Sequence, residues 1–213
     1  MSRLHRIVLA SALLLGTLAP AGAAEGTASE VVQRTSEHIL SQIKERRAEF
    51  KADENVLQRF VHDEMDKVLD QPYTARLVLG LHARSATPEQ IDAFGTALSD
   101  NLTRRYARAL LEVDGKTEVK VLGQTALRGG KIIRAKTEIS RAAGAPIAVD
   151  YLMRDVDNGW RAFDVIVEGI SYVQTFRSQF DPLIREKGLA QVTTDLREGR
   201  IEANPDAETR SSN

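Results

Sequence analysis

Few side chains in this sequence have the types and spacing that chemistry requires. Histidine is the natural metal ligand and proton carrier, and past the N-terminal leader there are three, His38, His62 and His82. Each falls in a different helical segment, and none has a second ligand four residues on as in H-E-x-x-H. They read as surface histidines, and no metal or cofactor is expected. The absence of cysteine excludes disulfides, Cys-ligated zinc, iron–sulfur clusters, thiol catalysis and lipid anchoring through cysteine. No G-x-S-x-G, P-loop or G-x-G-x-x-G is present. Ser171 suits a helix N-cap better than a nucleophile. Asp150 and Asp164 alternate with Tyr151 and Phe163, so flat strands would point these carboxylates away from the aromatic face. Asp164 would serve as a general base only inside a cavity, which alternation opposes unless a bulge intervenes. Arg46-Arg47 and Arg104-Arg105 are basic pairs on helices. They read as solvated faces, with anionic headgroups or acidic partners as the functional alternative.

Composition narrows the class further. The chain has 213 residues, 29 Lys+Arg against 30 Asp+Glu, 42% hydrophobic and 28% charged residues. Near-neutral charge excludes a nucleic-acid binder driven by bulk positive charge, and the apolar fraction marks a globular chain. Residues 1–23 read as a secretory signal peptide. Arg3, His5 and Arg6 precede the apolar run Ile7–Leu18, and Ala21-Gly22-Ala23 offers a cleavage site. That run is shorter than the ~20 residues a membrane span needs. Removing the leader leaves 27 basic and 30 acidic side chains. The remainder is expected to be soluble, exported and stabilised by its core alone. Residues 24–200 are expected to form one domain, with a disordered tail over 201–213.

The elements that must position any site follow from hydrophobic periodicity. Residues 28–48 form an amphipathic helix. A second begins near Glu54, with Val56, Leu57, Phe60, Val61, Met65, Val68 and Leu69 on its apolar face. A short helix runs from Tyr73 to Leu79 and ends at Gly80. Thr87-Pro88-Glu89-Gln90 is a capping box with proline at the first position. It opens a helix of about five turns, striped by Ile91, Phe94, Leu98, Leu102, Tyr106 and Leu110. From Lys116 to Val167 the period changes to two, with joints at Gly129-Gly130, Ala143-Gly144 and Asp157-Asn158-Gly159, the last a hairpin signal. This predicts a four-stranded antiparallel meander. Helices resume after Gly169. Pro182 kinks the first or starts another, and the last covers Leu189 to Arg197. The fold class is α+β, a curved four-stranded sheet wrapped by helices.

Six of the eleven aromatic residues lie between Tyr151 and Phe180, where the sheet meets the helices. Leu98, Leu102, Tyr106, Val149, Tyr151, Phe163, Val165, Val167 and Phe176 are the large side chains that would face one another there. Such layers close into a filled core or leave an apolar pocket, and periodicity does not separate the two.

The run Trp160-Arg161-Ala162-Phe163-Asp164-Val165-Ile166-Val167-Glu168-Gly169-Ile170-Ser171 resembles the signature of the MlaC family, the phospholipid-binding auxiliary component of the toluene-tolerance transport system. Leu77-Val78-Leu79-Gly80, then Ala86 to Gln90 with Phe94, Leu98 and Tyr106, and finally Phe176 to Phe180 with Gly188, resemble family segments in family order. The resemblance spans roughly residues 30–200. Leu81-His82-Ala83 departs from the aromatic or basic pair common at that point. The resemblance implies an NTF2-like fold and a cavity that takes glycerophospholipid acyl tails, lined by the nine residues above. It implies a periplasmic carrier rather than an enzyme. Its implied partners are an outer-membrane lipoprotein–porin complex and an inner-membrane ABC transporter with an MCE-domain subunit, and its implied role is maintenance of outer-membrane lipid asymmetry. The alternative, by analogy of fold, is an isomerase or dehydratase using Asp164 and Tyr106.

Overall fold

A computed structural model of the chain describes residues 26–113, 117–140 and 144–205. The proposed signal peptide, the joints at Gly115 and Ala143 and the end of the proposed tail lie outside them. The first half is helical: α1 (Ala28–Glu45), α2 (Arg47–Ala52), α3 (Glu54–Val68), α4 (Gln71–Leu79), a 3₁₀ turn (Gly80–Arg84) and α5 (Pro88–Tyr106), extended by a 3₁₀ turn over Ala107–Glu112. The strands follow as β1 (Val119–Leu127), β2 (Ile132–Ile139), β3 (Ile147–Val156), β4 (Gly159–Val167) and β5 (Ile170–Ser171), and α6 (Tyr172–Lys187) and α7 (Leu189–Arg197) close the order.

Local chemistry explains most boundaries. Gln90 N–H donates to Thr87 Oγ1 at 3.3 Å while Thr87 N–H donates to Gln90 Oε1 at 3.0 Å, so α5 begins with the expected reciprocal cap. Asp53 caps α3 and Asp70 caps α4. The helix expected over 28–48 divides at Arg46 into α1 and α2. Helix α6 continues through Pro182 as one element, so no new helix begins at that proline.

The sheet has five antiparallel strands in sequential order rather than the four expected. The extra strand arises because Glu168 and Gly169 both take positive φ, 49° and 86°, and turn the chain back to pair Ile166 with Ser171 and Val167 with Ile170. Asp157 and Asn158, at φ 53° and 67°, form the two-residue hairpin between β3 and β4. Two register shifts bend this curved sheet, one in β1 at Leu122 and one in β4 at Phe163.

Apolar side chains gather in three clusters. Helices α4 to α7 form the largest, around Phe94 and Phe180, whose rings meet edge to face at 5.5 Å. A second joins α1 to the sheet through Ala28, Val32, Ile133, Ala135, Met153 and Ala162. A third ties the end of α1 to α2, α3 and the turn after α5 through Ile43, Phe50, Leu57 and Phe60. The tail expected to be free from residue 201 is packed over its first residues. Asn101 Nδ2 donates to the carbonyls of Leu196 and Ile201, each at 2.9 Å, and its Oδ1 accepts from the buried Ala203 N–H at 3.0 Å. Gln179 adds bonds to Glu202 O and Asn204 N–H. An asparagine on α5 presents both a donor and an acceptor, which satisfies backbone groups that polarity alone marked as solvent-facing.

Candidate functional site

Between the helical cluster, the third cluster and β4 lies a cavity of about 390 Å³, within the range of small-molecule sites, roughly 300–1,000 Å³. Its walls come from α3 (Phe60, Val61, Met65), α4 (Thr74, Ala75), α5 (Leu98, Leu102, Tyr106) and α6 (Tyr172, Val173, Phe176), with Ile39 of α1 and Leu110 beyond α5. The facing side chains are overwhelmingly aliphatic and aromatic. Glu64 and Asp164 are the charged types on the wall.

Gly95 on α5 also borders the cavity. A Cβ there would come within 3.1 Å of Ala75 Cβ and 3.2 Å of Gln71 Cγ, so glycine allows α4 and α5 to approach closely at this point.

Strand β4 supplies Phe163, Asp164 and Val165, three consecutive residues, which an unbroken period of two forbids. The register shows why. Leu152 pairs with Asp164 and Met153 with Ala162, so Phe163 is an extra residue without a partner. The joint between α3 and α4 is stitched to the bulge. Asp70 N–H donates to Ala162 O at 2.7 Å, Thr74 Oγ1 donates to Phe163 O at 3.0 Å, and the Phe163 ring meets Tyr73 edge to face at 5.1 Å. Arg154 pairs with the buried Asp70 carboxylate and lies 4.4 Å from the Tyr73 ring centroid.

Of the nine side chains expected to face one another, Leu98, Leu102, Tyr106, Phe163, Val165 and Phe176 border the cavity, and Val149, Tyr151 and Val167 do not. Val149 is buried opposite Thr137, whose Oγ1 donates to Val149 O at 2.6 Å. Tyr151 packs beside the α1–sheet cluster, and burial raises the pKa of its phenol. The meander's apolar side chains are thus divided between the cavity, through Phe163 and Val165, and the cluster under α1, through Ile133, Met153 and Ala162.

Helix α3 contributes Phe60, Val61 and Met65 to the wall, and Leu69 follows at its C-cap; none of these stood among the nine. The signal was present as an apolar stripe, and Glu64, one turn after Phe60, marked the charge set into it. Glu64 Oε1 accepts from Lys67 Nζ at 2.7 Å and lies 3.5 Å from His38 Nε2, and the side chain is 9% exposed.

Asp164 enters the cavity wall, against the expectation from alternation, and both its oxygens are engaged. Ser171 Oγ donates to Oδ2 at 2.6 Å and Val173 N–H donates to Oδ1 at 3.0 Å. Burial raises its pKa, opposed by these hydrogen bonds. The same Ser171 hydroxyl accepts from Gln174 N–H at 3.1 Å and so caps α6 as expected. Asp164 thus locks β4 to the start of α6, a positional task that does not require it to accept a substrate proton. Asp150 pairs with Arg134 at 2.6 Å. The basic pairs have structural partners as well. Arg46 bonds Glu49 and lies 4.5 Å from the Phe50 ring centroid, Arg47 donates to the carbonyls of Leu111 and Val113, Arg104 donates to those of Leu196 and Arg197, and Arg105 pairs with Glu202. Among the described residues no three His, Asp or Glu side chains come together as a metal site, and no helix is long and apolar enough to cross a membrane.

A model of the MlaC protein family matches residues 33–198. The toluene tolerance protein ttg2D of Pseudomonas putida is 26% identical over 163 residues, which cover 76% of this chain and 75% of that protein. The intermembrane phospholipid transport system binding protein MlaC of Haemophilus influenzae is 21% identical over 178 residues, 82% of this chain and 83% of its own. A phospholipid-binding protein from Ralstonia solanacearum, solved in complex with a phospholipid, superposes with a TM-score of 0.73 at 23% identity over 81% of this chain and 96% of that one.

Proposed function

Because this chain belongs to the MlaC family, we propose that it carries glycerophospholipid through water by sheltering acyl tails in the apolar cavity. The observation that carries the reading is the wall itself. A cavity of about 390 Å³ faced almost wholly by hydrocarbon offers tails what a bilayer offers, with no array of donors from the described residues aimed at a polar substrate. The phospholipid named for two of the three similar proteins supports the choice of ligand.

The energetics require such a carrier. Each methylene moved from hydrocarbon to water costs ~0.8 kcal/mol, so two tails with ~30 such groups cost on the order of 24 kcal/mol. A carrier removes that cost by matching hydrocarbon, and exchange at either membrane then proceeds near balance. Leu98, Leu102, Tyr106, Phe163, Val165 and Phe176 are the proposed tail contacts, together with Phe60, Val61 and Met65. The two carboxylates on the wall have protein partners, so we assign no headgroup selectivity to them. The leader supports a periplasmic location. The resemblance to the family supports exchange between an outer-membrane lipoprotein–porin complex and an inner-membrane ABC transporter, in the service of outer-membrane lipid asymmetry. The curved sheet covered by helices supports an NTF2-like description of the fold.

Native mass spectrometry of the purified protein tests the proposal. Bound phospholipid near one molecule per chain is expected, released on denaturation. A lipid-free protein that takes up none from vesicles overturns it, as does turnover of a small ketone or epoxide that depends on Tyr106.

A further inference from the structure

Leu81 is the most exposed large apolar side chain among the described residues, at 66%. It stands on the 3₁₀ turn Gly80–Arg84, where side chains three apart eclipse, so Leu81 and the exposed Arg84 project together. Gly80 enters the turn at φ 56°, and a Cβ there would meet Arg177 Nε at 2.5 Å. Glycine therefore lets the guanidinium of Arg177, on α6, lie across the start of the turn. Arg76, in the last turn of α4, is exposed nearby in the chain.

Charge on this face is one-sided. Residues 71–88 contain no Asp or Glu. Arg76, Arg84 and Arg177 have no ion-pair partner among the described residues, whereas Asp181, the acid of α6 beside the turn, is already matched by His82 at 2.9 Å and by Arg185. Three guanidiniums without an ion-pair partner, one on the turn that carries the most exposed leucine, one against its start and one in the helical turn before it, stand out in a chain of net charge −1.

We propose that this face docks on an anionic bilayer surface, with Leu81 entering the headgroup–acyl boundary and the three arginines taking lipid phosphates. One projecting side chain on a single turn falls far short of the roughly 1,000 Å² of a specific protein interface. A lone apolar tip accompanied by several arginines suffices for brief, reversible residence on a membrane. The cavity draws on the first half of α4, through Thr74 and Ala75, and the docking face on its last turn. The inference is therefore independent of lipid carriage, and a docking variant is expected to keep any bound lipid.

The experiment is flotation of the purified protein without the leader, residues 24–213, with vesicles of phosphatidylcholine alone or with added phosphatidylglycerol, at low and high salt. Binding is expected only with phosphatidylglycerol and is weakened by salt. Each Arg→Gln change is expected to lower partitioning about fivefold, and Arg84→Gln with Arg177→Gln about 25-fold. Leu81→Ser should weaken and Leu81→Trp strengthen binding, with unchanged far-ultraviolet circular dichroism in each variant. Lys120→Gln, on the exposed face of β1, should bind like the parent. No binding by the parent, equal binding by the double variant, an equal loss in Lys120→Gln, or retention on immobilised polyglutamate without flotation overturns the proposal.

Discussion

Replacing Leu102 by tryptophan separates an open cavity from a filled core. Leu102 lies on α5 between Leu98 and Tyr106 and borders the cavity of about 390 Å³. An added indole, which buries roughly 150–250 Å², finds space there without displacing a neighbour. In a close-packed core the same enlargement costs about 1–3 kcal/mol. At roughly 2–4 °C per kcal/mol for a domain of this size, that would lower Tm by about 2–12 °C. The open cavity predicts a fall of less than about 2 °C. Lipid retention should change far more. Excluding about four methylenes of tail removes ~3 kcal/mol, on the order of a hundredfold in retention. Differential scanning fluorimetry reads the first quantity, and native mass spectrometry after incubation with vesicles reads the second. A Tm drop of about 6 °C or more with undiminished lipid occupancy would refute the reasoning, because it would show that Leu102 is packed on all sides and that the tails lie elsewhere.

Other substitutions probe the surroundings. Val165→Arg borders the cavity and should leave a folded protein with little lipid, whereas Val149→Arg, buried against the sheet, should unfold it by burying an unpaired charge; circular dichroism and lipid mass distinguish the two. Asn101→Ala strands the Ala203 N–H and the Ile201 carbonyl, while Leu196 O keeps Arg104 and Gly199 N–H as donors; a loss of about 1–3 kcal/mol is expected, measured by urea unfolding, and protease cleavage near residue 203 should accelerate. Asp164 has a folded pKa raised above its ordinary 3.8, so the folded state holds its proton more tightly than the unfolded chain. Its contribution to stability is thus full below pH 3.8 and is lost as pH rises through the raised value. Asp164→Asn should lack this segment of the Tm–pH profile, and parallel profiles for parent and variant would contradict it.

Much of the fold was legible because local rules act locally. The capping box at Thr87, the Asp157-Asn158 hairpin and the Ser171 cap need only near neighbours, and each stands where those residues specify. The fifth strand was hidden because two residues carry no periodicity, and its cue was the Glu168-Gly169 turn. The site was half visible. Stripes on α5 and α6 identified Leu98, Leu102, Tyr106 and Phe176, but the stripe on α3 could not name its facing surface without the tertiary arrangement. The bulge at Phe163 was the main obstacle. It brings Phe163, Asp164 and Val165 together on the wall, and its partners, Asp70 and Thr74, lie about ninety residues earlier in the chain.

The two flanks of the sheet face different hazards. At β4 the outer backbone is sealed by β5 at one end and by the α3–α4 joint at the bulge. At β1 no described strand covers the far side, and Leu122 and Leu127 are exposed. Lys120 and the irregularity at Leu122-Gly123 interrupt what would otherwise be a flat, greasy template. Fibril seeding by this chain would therefore start from β1, and losing that lysine together with that irregularity would remove the safeguards against it.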